Sequence, residues 1–100
     1  MEIRQTETYA RWYSRLRDRH ARMRINVRIR RLSLGNHGDT RSLGGGVSEL
    51  RISYGPGYRI YYTLRGSMVI ILLAGGDKST QRRDIESAKQ LAKVIGEEDG

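Results

Sequence analysis

The middle of the chain alternates apolar and polar residues in a pattern that predicts β-strands. Two alternating segments, residues 47–54 and 58–64, flank a Gly-Pro-Gly turn at 55–57. A second turn at 65–67 leads into residues 68–74, which are apolar throughout, as expected of a strand buried on both faces. This stretch therefore predicts three strands of a small antiparallel sheet.

The N-terminal third predicts a short strand followed by two helices. Residues 2–6 alternate weakly, which indicates the strand. Thr6 or Thr8 can cap the first helix, and Asp18 can end it and cap the second. The apolar face of the first helix, at the spacing i, i+3, i+4 and i+7, comprises Tyr9, Trp12, Tyr13 and Leu16.

Residues 21–34 fit either a strand or a helix. Their apolar members alternate with Arg or Asn, which is a strand pattern. However, no Gly or Pro occurs between Thr6 and Leu34, and Arg, Met, Leu and Ala favour helices. We therefore predict a helix that ends at residues 35–36 and is covered on two sides. One apolar stripe would face the sheet, and the other would meet the first helix or a partner protein. The first stripe comprises Ala21, Ile25, Ile29 and Leu32, and the second comprises Met23, Val27 and Leu34.

The remaining segments predict a loop and a C-terminal helix. Residues 35–46, rich in Gly, Asn and Asp, predict a flexible approach to the sheet. Asp77 or Ser79 can cap the last helix, Gly96 is expected to end it, and residues 97–100 are expected to form a disordered polar tail. The apolar stripe of this helix comprises Ile85, Ala88, Leu91, Ala92 and Ile95. Residues 1–100 are thus expected to form one α+β domain.

The composition narrows the class of protein. A chain of 100 residues that is 37% hydrophobic suits one domain with a limited core. It has no run of about 18 apolar residues and no signal-peptide order at its start, so we expect a cytoplasmic protein that does not enter a membrane. The absence of Cys excludes disulfides and thiolate metal sites, and two His residues are few for a structural metal, so we expect neither metal nor cofactor.

The net charge of +8 is concentrated in one segment. Residues 11–31 contain nine Arg and one acid, Asp18, while the rest of the chain is neutral. Such a segment would attract a polyanion or an acidic partner protein. The alternative is an Arg-rich helix surface that its charge keeps soluble.

The hairpin turn decides which polar residues of the sheet are neighbours. If residues 55–57 form a three-residue loop, Ser53 pairs with Arg59 and Arg51 pairs with Tyr61, on the face opposite the apolar one. Arg51 and Arg59 are then diagonal neighbours, about 7–8 Å apart.

The second turn would bring the end of the third strand to the same place. A turn centred on residues 66–67 sets Tyr61 opposite Leu72 and Arg59 opposite Ala74. Lys78 then emerges from the third strand beside Arg59.

Three cations therefore converge in the predicted sheet, namely Arg51, Arg59 and Lys78. Because like charges repel, this arrangement makes most sense if an anion lies among them, and Arg can hold phosphate through two hydrogen bonds. The alternative is that Glu49 and Asp77 neutralise the cations as ordinary surface ion pairs.

The same residues suggest how RNA could be cleaved without a metal ion. Arg51 and Arg59 suit the stabilisation of a charged transition state. Lys78 is a candidate general acid or base, Tyr61 a candidate for orientation or proton relay, and Tyr58 could stack on a splayed base. Arg28, Arg31 and Arg82 are further candidates for nucleic-acid binding, and His37 is a candidate base only if its loop folds back.

Three motifs in this region resemble the RelE/ParE superfamily of bacterial toxins, and most closely its HigB-like, phage-related addiction-module killer proteins. They are Val-Ser-Glu-Leu-Arg-Ile at 47–52, Gly-Pro-Gly-Tyr-Arg-Ile-Tyr-Tyr at 55–62 and Leu-Leu-Ala-Gly-Gly-Asp-Lys-Ser-Thr-Gln-Arg-Arg-Asp-Ile at 72–85. The resemblance implies an α+β fold in which a small twisted, mainly antiparallel sheet is packed by two N-terminal helices and one C-terminal helix. By position it assigns basic site residues to Arg51, Arg59 and Lys78.

The resemblance also implies a partner, a cognate antitoxin that is often a helix-turn-helix protein. RelE-like relatives cut mRNA on the translating ribosome, whereas ParE-like relatives poison DNA gyrase. This chain has fewer lysines on the Arg51 strand than the most active RelE pattern and no Tyr late in its final helix, so the general base is not identified. The leading hypothesis is a metal-independent, ribosome-associated mRNA endonuclease that inhibits translation. A gyrase inhibitor without nuclease activity and a purely RNA-binding module are the alternatives.

Overall fold

The alternating central segment lies in the middle of a five-stranded sheet in the computed structural model, which describes residues 1–99 and the side chains as far as residue 97. The strands are β1 (Glu2–Gln5), β2 (Thr40–Gly44), β3 (Val47–Ile52), β4 (Tyr58–Arg65) and β5 (Val69–Gly76). Their spatial order is β1-β5-β4-β3-β2, and all neighbours are antiparallel except β1 and β5. The predicted α+β fold with a mainly antiparallel sheet is confirmed.

Two of the three α-helices, the first and the second, begin at the predicted caps, whereas the predicted cap Asp77 starts a 3₁₀ turn before the third. The helices are α1 (Glu7–Ser14), α2 (Arg19–Ser33) and α3 (Gln81–Asp99), and a 3₁₀ turn at Lys78–Thr80 precedes α3. The caps are Thr6 for α1, Asp18 for α2 and Asp77 for the 3₁₀ turn. The prediction that Gly96 ends the last helix is wrong, because α3 continues through it to Asp99. Of the predicted tail, residues 97–99 belong to this helix, and Gly100 lies outside the described residues.

The segment that was predicted as a flexible approach contains the edge strand β2. Its Thr40 pairs with Leu50, and its Arg41 pairs with Glu49. Gly44, the last residue of β2, and the two glycines that follow it all have positive φ, with Gly45 at 61°, and they form a tight turn rather than a flexible lead-in. β2 was missed because an edge strand that is mostly exposed carries no clear apolar alternation.

The hairpin between β3 and β4 has a longer loop than predicted. Ile52 pairs with Tyr58, so the loop comprises the five residues 53–57, and Arg51 lies directly opposite Arg59. The predicted pairing of Arg51 with Tyr61 is therefore wrong by two residues. Because a shift of two preserves the pleat, the two arginines still share one face of the sheet.

A β-bulge separates the observed register of β4 and β5 from the predicted one. Tyr62 pairs with Leu72 and Tyr61 with Ala74, so Leu73 is the extra residue. Arg59 consequently lies opposite Gly76 instead of Ala74, and β5 extends two residues further than predicted. The strand is buried along nearly its whole length, which confirms the prediction of a strand covered on both faces.

The sheet separates two small cores. Helices α1 and α2 pack on one face, where the predicted stripe of Ala21, Ile25, Ile29 and Leu32 is buried. Helix α3 packs on the other face, where Ala88 meets buried residues of the central strands. Among the described residues, no helix is long and apolar enough to cross a membrane.

The second stripe of α2 is not covered by α1. Met23, Val27 and Leu34 are 62%, 42% and 75% exposed. The prediction that α2 meets the first helix along this stripe is therefore wrong, and contact with a partner protein stays a prediction.

Two adjacent glycines let α1 and α3 approach the end of β5 closely. A Cβ atom on Gly75 would lie 2.2 Å from the ring of Trp12, and one on Gly76 would lie 1.8 Å from the carboxylate of Asp84. Since ordinary contacts begin at about 3.5 Å, more than 1 Å beyond both distances, no larger residue fits at either position without movement. The Gly-Gly pair thus fixes both helices beside the point where Lys78 leaves the sheet.

Candidate phosphate-binding cleft

Arg59 and Lys78 line one cleft at the end of the sheet where β3 and β5 stop and β4 starts. The cleft has a volume of about 350 Å³ and is bounded by the 53–57 loop. Gly57 in that loop has φ 79°, and a Cβ atom there would lie 3.4 Å from the Lys78 side chain. The loop and the 3₁₀ turn are therefore packed together, and this packing holds Lys78 beside the cleft.

Arg59 is the residue of the cleft whose environment is least ordinary. It is only 8% exposed, and its buried Nε atom has no hydrogen-bond partner among the described residues. Nor does it form an ion pair with any carboxylate in that part of the chain. A buried cation without a partner is costly, and an anion that entered the cleft would provide the missing contacts.

Arg51 lies opposite Arg59 but is already paired. Its Nη2 donates to Oδ1 of Asp39 at 3.0 Å, and its backbone N–H donates to the Asp39 carbonyl at 2.9 Å. Arg51 does not line the cleft. The neutralising residue is thus Asp39, whereas the sequence pointed to Glu49 or to Asp77, which instead caps the 3₁₀ turn.

Tyr61 is buried beneath α3 and does not line the cleft. Burial raises the pKa of Tyr61, and the nearby carboxylates of Glu49 and Asp84 raise it further, while Arg59 acts in the opposite direction. Neither the Tyr61 hydroxyl nor Oε1 of Glu49 makes a well-formed hydrogen bond. A phenol that holds its proton this firmly is a poor relay.

Glu49 was not recognised as a buried group. It is fully buried, and its Oε2 accepts a hydrogen bond at 2.8 Å from Nε2 of Gln81 on α3. Together with Tyr61 and Arg59 it forms a polar cluster between the sheet and α3. The sequence offered no signal for this burial, because the alternation in β3 does not say that α3 covers the polar face as well.

Of the two tyrosines near the cleft, Tyr54 lines it, whereas the predicted stacking residue Tyr58 does not. Tyr58 is 9% exposed and packs edge-on against Trp12 with ring centroids 6.3 Å apart, so it belongs to the core. Tyr54 lines the cleft and is half-buried. Its hydroxyl donates to Asp18 at 3.0 Å, and the Arg24 guanidinium lies 4.7 Å from its ring centroid. Tyr54 is therefore better placed than Tyr58 to contact a ligand in the cleft.

The other predicted nucleic-acid contacts lie away from the cleft. Arg28 donates from Nη1 to the backbone carbonyl of Arg51 at 2.8 Å and so ties α2 to β3. Arg28 and Arg31 line a separate groove along α2, whereas Arg82 lies on α3 at the opposite face of the sheet. His37 does not line the cleft. In the part of the chain that the structure describes, no three His, Asp or Glu side chains are grouped so that they could hold a metal ion.

Comparison with known proteins assigns the family. Residues 15–93 match the family described as "Phage derived protein Gp49-like (DUF891)". The chain belongs to the Gp49-like family. This is a family of addiction-module toxin type, which implies an antitoxin partner. A relative, an uncharacterised protein of Haemophilus influenzae, is 47% identical over 96 residues, which span 96% of this chain and 97% of that protein.

Proposed function

We propose that this chain is the toxin of a type II toxin-antitoxin system and that it cleaves mRNA, in association with the ribosome and without a metal ion. The observation that carries the proposal is Arg59, which lines the cleft with Lys78 and whose buried Nε has no hydrogen-bond partner among the described residues. Family membership supports the toxin part of the proposal. The cationic cleft supports the proposed cleavage of mRNA.

In the proposed reaction, the ribose 2′-oxygen attacks the neighbouring phosphorus while the bond from phosphorus to the 5′-oxygen breaks. The products are a 2′,3′-cyclic phosphate and a 5′-hydroxyl end. Arg59 holds the phosphate through two N–H groups and stabilises the charge that builds on its oxygens. Because few groups compete for the guanidinium, this stabilisation is available to the transition state.

Lys78 serves as the general acid in this proposal. It is exposed at the start of the 3₁₀ turn and lines the same cleft as Arg59. It gives a proton to the leaving 5′-oxygen, a step that typically contributes about 10²–10⁴-fold to the rate. The base that takes the 2′-hydroxyl proton is not assigned to a residue of this chain. Arg51, which is held by Asp39, contributes long-range positive charge rather than a direct contact.

Association with the ribosome rests on the charge of residues 11–31. Most of the nine arginines in this segment are exposed on α1, α2 and their junction. Clustered exposed arginines bind the phosphates of a polyanion such as ribosomal RNA. Inhibition of DNA gyrase without nuclease activity is the second candidate, and the uncovered apolar stripe of α2 favours it, because an apolar surface suits a protein target.

The test is induced expression followed by mapping of 5′ ends in cellular mRNA, beside a gyrase supercoiling assay. We expect codon-phased cuts that disappear in Arg59→Ala and persist in Lys93→Ala, which removes one exposed charge from α3. Circular dichroism would show that Arg59→Ala is folded. Intact mRNA together with inhibited gyrase would overturn the proposal in favour of the second candidate.

A further inference from the structure

A second cationic cavity, the Trp12 notch, lies between α1 and the first turn of α3. It has a volume of about 350 Å³, and three arginines line it, namely Arg11 and Arg15 from the end of α1 and Arg83 from α3. Trp12 forms its aromatic wall. No Ala, Val, Leu, Ile or Met of the described residues lines the notch. Its lining therefore combines positive charge with one flat aromatic surface.

The three arginines of the notch are available to a ligand. Arg11 approaches Glu7 only to 4.0 Å, and Arg83 approaches Asp84 only to 3.8 Å. The Arg11 and Arg83 side chains are 63% and 79% exposed, so water screens these pairs and they hold the arginines weakly. Arg15 forms no ion pair with a described residue. Three guanidinium groups around one cavity therefore favour an anionic ligand.

Asp84 also lines the notch, but its carboxylate is largely engaged in holding the fold together. Its Oδ2 accepts a hydrogen bond from the Thr80 hydroxyl, and the absence of a side chain at Gly76 lets it lie against the end of β5. Its side chain is only 13% exposed. One carboxylate in this position offsets part of the charge of three guanidinium groups, so the notch keeps a positive excess.

Trp12 indicates which class of anion the notch suits. The indole is partly buried, because it lies against Gly75 and packs edge-on against Tyr58, and it also lines the notch. A nucleobase can stack on such a ring, and its phosphate can bind arginine through two hydrogen bonds. An acidic peptide would find the arginines but no aliphatic surface for its apolar side chains.

We propose that the Trp12 notch binds one nucleotide, with its base against the indole and its phosphate among Arg11, Arg15 and Arg83. A unit of single-stranded RNA and a free mononucleotide share this chemistry. Both therefore serve as probes, and their affinities distinguish the two sources.

The position of the notch favours a unit of RNA. Gly75 lines the notch, and the next residue, Gly76, pairs with Arg59 of the cleft. Notch and cleft are thus neighbours at the same end of the sheet. An RNA with one phosphate on Arg59 can place a nearby nucleotide against Trp12, and this part of the proposal rests on the proposed function.

The fluorescence of Trp12 tests the proposal without a label, because the chain contains a single tryptophan. The probes are AMP and a short oligoadenylate RNA, with adenosine as the control that lacks phosphate. We expect oligoadenylate to quench the fluorescence, since a stacked base accepts energy from the indole. Adenosine should bind at least about tenfold more weakly than AMP, because it loses the charged hydrogen bonds to arginine.

A pair of double variants tests the arginines. Arg15→Gln/Arg83→Gln should raise the Kd of oligoadenylate about tenfold, and the slope of log K against log salt should fall by about 0.7 if the notch neutralises one phosphate. Lys89→Gln/Lys93→Gln removes the same charge from exposed positions on α3 and should change the Kd by about twofold or less. All four side chains are exposed, so both variants should fold, and circular dichroism checks this.

Arg59→Ala separates the notch from the cleft. It should cleave no mRNA, yet oligoadenylate should still quench Trp12 in a manner that depends on Arg15 and Arg83. Quenching by AMP at the same concentrations as oligoadenylate would identify a free mononucleotide as the ligand, and quenching by oligoadenylate alone would identify RNA.

Two outcomes would overturn the notch proposal. They are the absence of quenching by either probe, and equal affinity of the two double variants for oligoadenylate. If the unchanged protein cleaves no mRNA while the arginine-dependent quenching persists, the proposed function fails and the notch stands.

Discussion

Gly75 offers a sharp test of how the helices are placed around the cleft. A Cβ atom at this position would lie 2.2, 2.4 and 2.6 Å from three atoms of the Trp12 ring. In Gly75→Ala the ring must therefore move by about 1 Å to restore ordinary contacts. Overpacking of this kind costs about 1–3 kcal/mol, against about 0.4–1 kcal/mol that Ala would contribute by restricting the unfolded chain.

We expect Gly75→Ala to lower the free energy of unfolding by about 1–2 kcal/mol, with a fall of about 1 M in the urea midpoint. The matched control is Gly96→Ala. A Cβ atom at Gly96 would have no neighbour within 4 Å among the described residues, and Gly96 lies inside α3. That substitution should instead stabilise the protein by about 0.5–1 kcal/mol, because Ala favours helices more than Gly does.

A double-mutant cycle assigns the effect to the Trp12 contact. In a Trp12→Leu background the ring is absent, so Gly75→Ala should cost little, and the coupling energy between the two sites should be about 1 kcal/mol or more. If Gly75→Ala is as stable as the unchanged protein, or if the two substitutions show no coupling, the contact with the Trp12 ring does not set the cost.

Three other residues near the cleft, Gly57, Tyr61 and Asp18, can be tested by substitution. Gly57→Ala should strain a backbone with φ 79° and so disturb the loop that packs against Lys78, and RNA affinity should fall. The control is Gly45, whose φ is 61° and where an added Cβ would have no described neighbour within 4 Å. Gly45→Ala should cost similar stability, about 1–2 kcal/mol, without changing RNA affinity in an anisotropy titration. Tyr61→Phe removes a buried hydroxyl without a partner, so urea unfolding should change by less than about 1 kcal/mol and mRNA cleavage should persist; loss of cleavage in a folded variant would restore Tyr61 as a site residue. Hydrogen bonds from the Ala21 backbone, from Tyr54 and from the His20 backbone lower the pKa of Asp18 from its ordinary value of 3.8. Its contribution to stability is therefore present above that pH and lost as the pH falls through the lower folded-state value. Between pH 5 and 2, a range of about three units around that value, the Tm of the unchanged protein should fall more than that of Asp18→Asn; parallel curves would contradict this.

The sequence was sufficient to predict the helices and the three central strands, because their apolar periodicity reports burial. Asp18 and Thr6 marked helix starts through local hydrogen bonding, which depends only on nearby residues. The burial of Ala21 and Ile25 likewise follows from their common helical face.

Features that depend on register or on distant segments were not predictable from pattern alone. Gly-Pro-Gly is compatible with loops of three or five residues, and only the five-residue loop sets Arg51 directly opposite Arg59. The pairing of Arg51 with Asp39 depends on a loop residue 12 positions away. The bulge at Leu73 and the covering of Glu49 by α3 are tertiary effects with no local signature.

Only part of the cleft lining was therefore predicted from the sequence. Arg59 and Lys78 lie in one cleft as predicted, since the chain order of β4 and β5 brings their ends together in either register. Arg51 was predicted there as a free cation, and Tyr58 was predicted as a stacking surface. Instead, Arg51 forms an ion pair with Asp39, and Tyr58 packs against Trp12. Tyr54 lines the cleft because it belongs to the longer loop, which the sequence did not predict.

The yield of 5′-hydroxyl mRNA ends after induction measures whether the cleft of Arg59 and Lys78 cleaves RNA. Lys78→Gln is the decisive variant because Lys78 is exposed, so its loss should not disturb folding. We predict that this variant lowers the yield by about 100-fold or more, whereas Lys93→Gln leaves it unchanged. Equal yields from Lys78→Gln and the unchanged protein would contradict the account.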